Sequence, residues 1–139
     1  MSDFIEVELN DDVLNQLGYN VKRDEENKTM TIYKNGEVVK IMNIPFIYEY
    51  EGKKYKIIKI ADKAFRNCKS LEKVYIAEGV KYIGGLTFKD CRSLFYIDIP
   101  NSMVKVCRNA FKGCPLTGAG IDITKVNDQV WCAVMGKLI

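Results

Sequence analysis

The chain has 139 residues, of which 47% are hydrophobic and 28% charged, and its formal net charge is +3. This length fits one compact domain or two small subdomains that share a core, and this composition excludes a disordered or collagen-like chain. The absence of histidine excludes Ser-His-Asp and Cys-His catalysis and every metal site that contains histidine.

The charges are distributed unevenly along the chain. Residues 1–49 carry 5 basic and 10 acidic side chains, a net charge of −5, whereas residues 50–112 carry 14 basic and 6 acidic side chains, a net charge of +8. Residues 113–139 carry 2 of each kind. The sequence therefore predicts an acidic N-terminal segment joined to a basic module.

The first residues of the chain do not resemble a secretory signal. Ser2, Asp3 and Glu6 follow Met1, where a signal has basic residues and then an apolar stretch. No run of the roughly 18 apolar residues needed for a membrane helix is present. If Met1 is the natural start, we expect a cytoplasmic or host-intracellular protein that spans no membrane. A longer natural chain would allow an extracellular location.

Residues 1–56 are predicted to form an N-terminal cap that begins with a short helix. The polar residues 10–12 precede the apolar residues Val13, Leu14 and Leu17, and Gly18 follows. A polar cap before an apolar pattern and a glycine after it are typical of helix ends. A capped helix of a few residues is expected here.

Three hairpins are predicted after this helix. In each of them, residues typical of turns separate two stretches of alternating apolar residues. The turns lie at 24–27, Asn35-Gly36 and Glu51-Gly52, and the strands at 19–23 with 29–33, 32–33 with 38–39, and 46–50 with 55–58.

A sequence repeat of constant period follows the hairpins. The positions that recur at an offset of 23, the interval from 65 to 88 and from 88 to 111, are Ile60/Ile83/Val106, Phe65/Phe88/Phe111, Cys68/Cys91/Cys114, Val74/Ile97, Ile76/Ile99 and Val80/Met103. A period of roughly 20–29 residues is the signature of leucine-rich solenoids, in which each coil buries its apolar edge on its neighbours. The sequence predicts a β-rich α/β solenoid, a right-handed stack of about two and a half coils over residues 57–114.

Each coil is predicted to contain one short strand and one helical turn. The alternation of residues 71–76 places Val74 and Ile76 inward and Tyr75 outward on a strand. Asp62 is a candidate N-cap for the helical turn that precedes this strand.

At these residues the chain resembles the BspA-like class of bacterial leucine-rich repeats. The pattern reads approximately Ile-Gly-x-x-Ala-Phe-x-x-Cys-x-x-Leu-x-x-Ile-x-Ile-Pro and covers residues 57–114, with Ala61 and Cys107 in place of the glycine seen at Gly84. The resemblance implies a recognition module, since members of this family serve largely in adhesion and protein recognition at cell surfaces.

Residues 115–139 are predicted to form a C-terminal cap. Residues 121–126 and 130–134 are expected to be the two strands of a last hairpin, with Asn127-Asp128 in the turn. Trp131 would cover the apolar edge of the final coil. A short solenoid needs such caps because both of its ends are open.

The cysteines are predicted to be structural. Cys68, Cys91 and Cys114 share one repeat position and are expected to form a buried column of free thiols, while Cys107 and Cys132 have no assigned partner. No Cys-x-x-Cys or Cys/His pair has the spacing of a zinc site. We predict a non-catalytic protein without metal or cofactor. A hydrolase or transferase with a Lys, Cys or carboxylate site is the least favoured alternative.

Two surfaces are candidates for binding a partner. The strand face has aromatic side chains at outward positions, which are typical of protein interfaces as well as of simple cross-strand packing; its residues are Glu72, Lys73, Tyr75, Phe95, Tyr96 and Asp98. The basic ladder on the turn side favours an acidic protein or nucleic acid, or is only a solvated face; its residues are Arg66, Lys69, Lys89, Arg92 and Lys112.

The sequence therefore predicts a module that binds another macromolecule. The favoured partner is a protein of unknown identity, recognised through the strand face, with this chain acting as a small inhibitor or effector. The first alternative is binding of nucleic acid or an acidic surface through the basic ladder. The second is cell-surface adhesion of the kind that the resemblance implies.

Overall fold

The computed structural model describes residues 3–107, 109–117, 120–122 and 130. Within these residues no helix has both the length and the apolar character needed to cross a membrane. The elements are β1 (Ile5–Leu9), α1 (Asp11–Gln16), β2 (Asn20–Asp24), β3 (Thr29–Lys34), β4 (Glu37–Val38), β5 (Ile41–Ile44), β6 (Ile47–Tyr50), β7 (Lys53–Ile60), β8 (Lys73–Ile76), β9 (Tyr82–Ile83), β10 (Tyr96–Asp98), β11 (Lys105–Val106) and β12 (Ile121–Asp122).

Two sheets of parallel strands form the repeat region. One has the strand order β12-β10-β8-β5, and the other has the order β1-β7-β9-β11 with β6 antiparallel on β7. Ile97 pairs with Val74, and Ile60, Ile83 and Val106 pair in series, so that residues one repeat apart lie side by side. Each predicted repeat therefore corresponds to one coil of a stack, as a leucine-rich solenoid requires.

A column of phenylalanine rings fills the core. Phe65 and Phe88 stack with ring centroids 5.1 Å apart, and so do Phe88 and Phe111. All three rings are buried, and the planes of neighbouring rings lie within 6° of parallel. The column runs along the coil axis because each ring occupies the same position in its coil.

The turn beside this column contains a left-handed residue in each coil. Asn67, Asp90 and Gly113 occupy one repeat position and have φ values of 62°, 59° and 87°. Asparagine, aspartate and glycine are the residues that adopt this conformation at least cost. The choice of residue type at this repeat position thus follows from the backbone.

The predicted capping role of Asp62 is wrong. Its carboxylate oxygen accepts a hydrogen bond from the backbone N–H of Gly85, at 2.9 Å, and so links one coil to the next. The turn after Asp62 is also not helical, because Lys63 adopts a left-handed φ of 61°.

The predicted elements of the N-terminal segment are confirmed. The side chain of Asn10 accepts from the Val13 N–H and caps α1. The antiparallel pairs β2–β3, β3–β4 and β6–β7 correspond to the three predicted hairpins. Asn35 and Gly36 have φ values of 53° and 80°, which a two-residue hairpin turn of this kind requires.

The N-terminal segment also contributes strands to the sheets of the repeats. β1 pairs in parallel with β7, which places Leu9 beside Ile60, and β5 pairs in parallel with β8, which places Met42 beside Val74. The backbone of Met30 in β3 forms two hydrogen bonds with the first repeat turn. Its N–H donates to the carbonyl oxygen of Asn67, and its carbonyl oxygen accepts from the N–H of Lys69. The division into a cap over 1–56, repeats over 57–114 and a second cap over 115–139 stays a prediction, as does the number of coils.

The C-terminal segment differs from the predicted hairpin. Ile121–Asp122 form strand β12, which pairs in parallel with β10 as a further rung of the sheet. Val130 is helical and buried, so the predicted second strand is wrong at that residue. The remainder of the predicted hairpin, including Trp131, lies outside the described residues.

Gly84 provides a test of how closely the coils pack. A Cβ on Gly84 would lie 2.7 Å from the backbone nitrogen of Asp62 in the preceding coil, whereas a Cβ on Gly85 would meet nothing within 4 Å. We expect Gly84→Ala to lower the free energy of unfolding by about 1–3 kcal/mol, as overpacking against a backbone does. Gly85→Ala is the matched control and should change it by less than about 0.5 kcal/mol. Equal urea midpoints for the two variants would contradict this close approach.

Candidate functional site

The predicted strand face lies on the outer surface of the sheet β12-β10-β8-β5. In β8, Val74 and Ile76 are buried, while Lys73 and Tyr75 are half-buried on the opposite side. The same alternation in β10 leaves Tyr96 and Asp98 half-buried and Ile97 in the core. The period of two along each strand therefore presents these side chains to solvent.

The structure brings all six predicted strand-face residues together. Tyr96 lies opposite Lys73, and Asp98 lies opposite Tyr75. The rings of Tyr75 and Tyr96 are tilted by 49° with centroids 5.6 Å apart, and Lys73 Nζ stands 5.7 Å from the centre of the Phe95 ring. The N–H groups of Phe95 and Tyr96 both donate to the carbonyl oxygen of Glu72.

Strand β5 extends this face by two residues that the sequence analysis missed. Ile41 is 52% exposed and lies opposite Lys73, and the exposed Asn43 lies opposite Tyr75. The repeat offset did not reveal them because the interval from β5 to β8 is longer than one repeat. A signal existed, since residues 42–45 and 97–100 share the order apolar, polar, Ile, Pro.

An open groove of about 530 Å³ adjoins the strand face. Asn43, Tyr75 and Asp98 form one wall, and Tyr19 and Lys34 of the N-terminal segment line another part. Lys34 Nζ lies 4.7 Å from the centre of the Tyr19 ring, and burial raises the pKa of the Tyr19 hydroxyl. The groove thus combines a cation, a carboxylate, an amide and two phenols, which suits polar groups of a partner.

The basic ladder contains a carboxylate that the sequence analysis did not count. Asp90 forms ion pairs with Lys89 at 3.3 Å and with Arg92 at 3.7 Å. Arg66, Lys89 and Lys112 stand on adjacent coils, and the Asp90 N–H donates to the carbonyl oxygen of Lys112. Asp90 therefore offsets part of the positive charge in the middle of the ladder.

The cysteine column bonds one coil to the next. The Cys91 thiol donates to the carbonyl oxygen of Phe65 at 3.0 Å, and the Cys114 thiol donates to that of Phe88 at 2.9 Å. Cys68, Cys91 and Cys114 are free thiols, as predicted, but only Cys68 and Cys91 are buried, and Cys114 is half-buried. The adjacent Cys114 thiol, as a hydrogen-bonding neighbour, and burial raise the pKa of Cys91, which keeps this thiol neutral and unreactive.

Several solved structures resemble this chain. A leucine rich cell surface protein from Faecalibacterium prausnitzii is 31% identical with a TM-score of 0.52, over 72% of this chain and 28% of that chain. A leucine rich repeat protein from T. pallidum is 22% identical with a TM-score of 0.50, over 70% and 44% of the two chains. One from Bacteroides ovatus is 23% identical with a TM-score of 0.49, over 71% and 32%. This chain thus spans less than half the length of each.

The sequence also matches a protein family. No curated protein matches it significantly. Residues 54–132, more than half of the chain, match the family model described as BspA type leucine rich repeat region (6 copies). Leucine-rich repeat proteins are typically non-catalytic modules that bind other molecules, usually proteins. This chain belongs to the BspA-type leucine-rich repeat family.

Proposed function

We propose that this protein binds another protein through the strand face. The observation that carries the proposal is that two apolar side chains of this face are exposed to solvent. Ile41 is 52% exposed and Phe95 is 45% exposed. Ile41 lies in β5 and Phe95 directly precedes β10, and both belong to the same side of the repeats as the Tyr75–Tyr96 pair. An exposed apolar patch with a polar rim is typical of protein interaction sites.

The chemistry of the face favours a protein over a polyanion. Glu72 and Asp98 contribute negative charge beside the positive charge of Lys73. Tyrosine brings a large contact area with few rotatable bonds, so it loses little entropy on binding. The adjoining groove has room for a side chain that protrudes from the partner. Binding at this face would cover part of the partner's surface. By blocking that surface, the chain would act as an inhibitor or effector.

Recognition at a cell surface is a second candidate for the setting in which this face works. It is supported by the likeness to the F. prausnitzii protein, which is described as a cell surface protein. This chain spans only 28% of that protein, so the likeness concerns the repeats. Protease added to intact source cells tests the location of the protein. Digestion would indicate a surface location, and protection from digestion would indicate a cytoplasmic location.

The proposal is tested first by isolating the partner and then by measuring its affinity. The tagged protein is used to capture partners from the native cell, with and without nuclease, and the dissociation constant of the purified partner is measured. We expect Tyr75→Ala and Tyr96→Ala each to weaken binding by about 2 kcal/mol, or roughly 30-fold, as loss of a hot-spot tyrosine does. Salt should have little effect, because buried aromatic area is not screened.

The matched control is Tyr82→Ala, since Tyr82 is an exposed tyrosine on the other sheet. It should leave the affinity unchanged. Charge reversal at Lys89, Arg92 and Lys112 tests the basic ladder in the same assay. Nucleic acid would instead bind with a log affinity that falls by about 0.9 per neutralised phosphate for each unit of log salt. Loss of the partner on nuclease treatment or charge reversal, with retention by the Tyr75/Tyr96 double variant, would overturn the proposal.

A further inference from the structure

A separate cleft lies between the β2–β3 hairpin and the first repeat turn. Its volume is about 310 Å³, and it shares no residue with the strand face. Arg23, Lys28, Lys63, Arg66 and Asn67 line it, together with the acids Asp24 and Glu25. Arg66 belongs to the basic ladder, but the other cations come from the hairpin and from the start of the turn. Docking of the hairpin on the repeats therefore gathers cations that lie far apart in the sequence.

Arg66 is the unusual member of this cluster. Its Nε is buried and has no hydrogen-bond partner among the described residues. Within the same residues, none of the ion pairs neutralises its guanidinium. Buried donors are normally satisfied, so the unpaired Nε–H of an arginine that lines a cleft points to an acceptor that binds there.

The other charges of the cleft leave an excess of positive charge. Lys28 and Lys63 form no ion pair among the described residues, whereas Arg23 is held by Asp11 at 2.9 Å. The cleft also has two acids, Asp24 and Glu25. Asp24 accepts hydrogen bonds from the backbone and side chain of Asn27, at 3.0 and 2.8 Å. These bonds lower the pKa of Asp24 and hold its carboxylate in its own turn. Glu25 is exposed at the hairpin tip.

We propose that this cleft binds a phosphate group, either free or carried by a small phosphate ester. A guanidinium presents its donors in the planar fork that fits a phosphate, and two lysines add the charge that a dianion attracts. The volume of about 310 Å³ corresponds to about ten water molecules, which is room for a phosphate with a short organic group. This inference does not depend on the proposed protein-binding function.

The test is an NMR titration of the full chain labelled with ¹⁵N. Sodium phosphate is added at constant ionic strength, with sodium chloride as the reference. We expect saturable shifts of the Arg66 Nε–H signal and of the amide signals of Lys63 and Asn67 with phosphate only. Arg92 is the internal control, because its side chain is 76% exposed and it is a cation of the same ladder; its Nε–H signal should not saturate.

Two kinds of variant keep the test decisive. Arg66→Gln should weaken phosphate binding by about tenfold or more, as loss of charge-assisted hydrogen bonds does, while Arg92→Gln should not. If Arg66→Gln disturbs folding, the double variant Lys28→Gln/Lys63→Gln, made at exposed side chains, should weaken binding to a similar extent.

The choice of ligand distinguishes the remaining outcomes. Tighter binding of glycerol 3-phosphate than of phosphate would support a phosphate ester, and equal binding would support free phosphate. Equal binding of acetate would overturn the assignment of the phosphate class. Identical shifts with chloride, or no change in either set of variants, would overturn the site itself. If only single-stranded RNA caused saturable shifts, the phosphate site would also be overturned, because the ligand would then bind an extended surface and not this cleft.

Discussion

Replacement of Phe88 by alanine should lower the free energy of unfolding by about 3–5 kcal/mol. Phe88 is fully buried and stacks on Phe65 and on Phe111 at 5.1 Å on either side. The substitution removes both ring contacts and leaves a cavity in the middle of the core. The loss is a large part of the stability of a small domain, and urea unfolding followed by circular dichroism measures it.

The matched control for this prediction is Phe95→Ala. Phe95 is also a phenylalanine of the repeats but is 45% exposed on the strand face. Its replacement should cost less than about 1 kcal/mol, because exposed side chains contribute little to packing. A loss of less than about 1 kcal/mol for Phe88→Ala as well would show that the phenylalanine column is not the centre of the core.

Deletion of residues 121–139 should cause the protein to aggregate or oligomerise. The deletion removes strand β12, so β10 becomes the edge of its sheet. It also removes Ile121 and Val130, which are 5% and 2% exposed and belong to the core cluster. An uncovered edge strand beside newly exposed apolar surface is a site for pairing between chains. Size-exclusion chromatography with light scattering measures the outcome.

A point variant separates this effect from truncation itself. Ile121→Asp places a carboxylate in the core beside Ile97 and should cause the same association, because an unpaired buried charge is strongly unfavourable. Thr117→Asp, at an exposed position shortly before β12, should leave the association state of the protein unchanged. A truncated chain that stays monomeric and unfolds cooperatively would contradict the prediction.

The repeat region was predictable because the positions that must be apolar are the same in every coil. A residue that faces the core in one coil faces it in every coil, so apolar positions such as Phe65 and Phe88 recur at the offset that the structure uses. Hairpins such as β3–β4 were predictable for a similar reason, since the Asn35-Gly36 turn specifies its own backbone.

The extension of the sheets into the N-terminal segment was not predicted. The strands β1 and β5 pair with β7 and β8 across insertions of different length, so Leu9 and Met42 do not stand at the repeat offset from Ile60 and Val74. Pairing of this kind depends on which apolar edge is open once the coils have stacked. The exposed Ile41 and Asn43 of the strand face follow from that pairing, for which the order shared by residues 42–45 and 97–100 is the local signal.

The sequence by itself determined the leucine-rich repeat family, the period of the repeat, the phenylalanine and cysteine columns, and the side of each strand on which Tyr75 and Tyr96 lie. These features depend on periodicity and on the alternation of side chains along a strand. The tertiary structure alone decided that the hairpin tip joins Arg66 and Lys63 in one cleft. Such contacts join segments far apart in the chain, and their geometry exists only after the hairpin has packed against the coils.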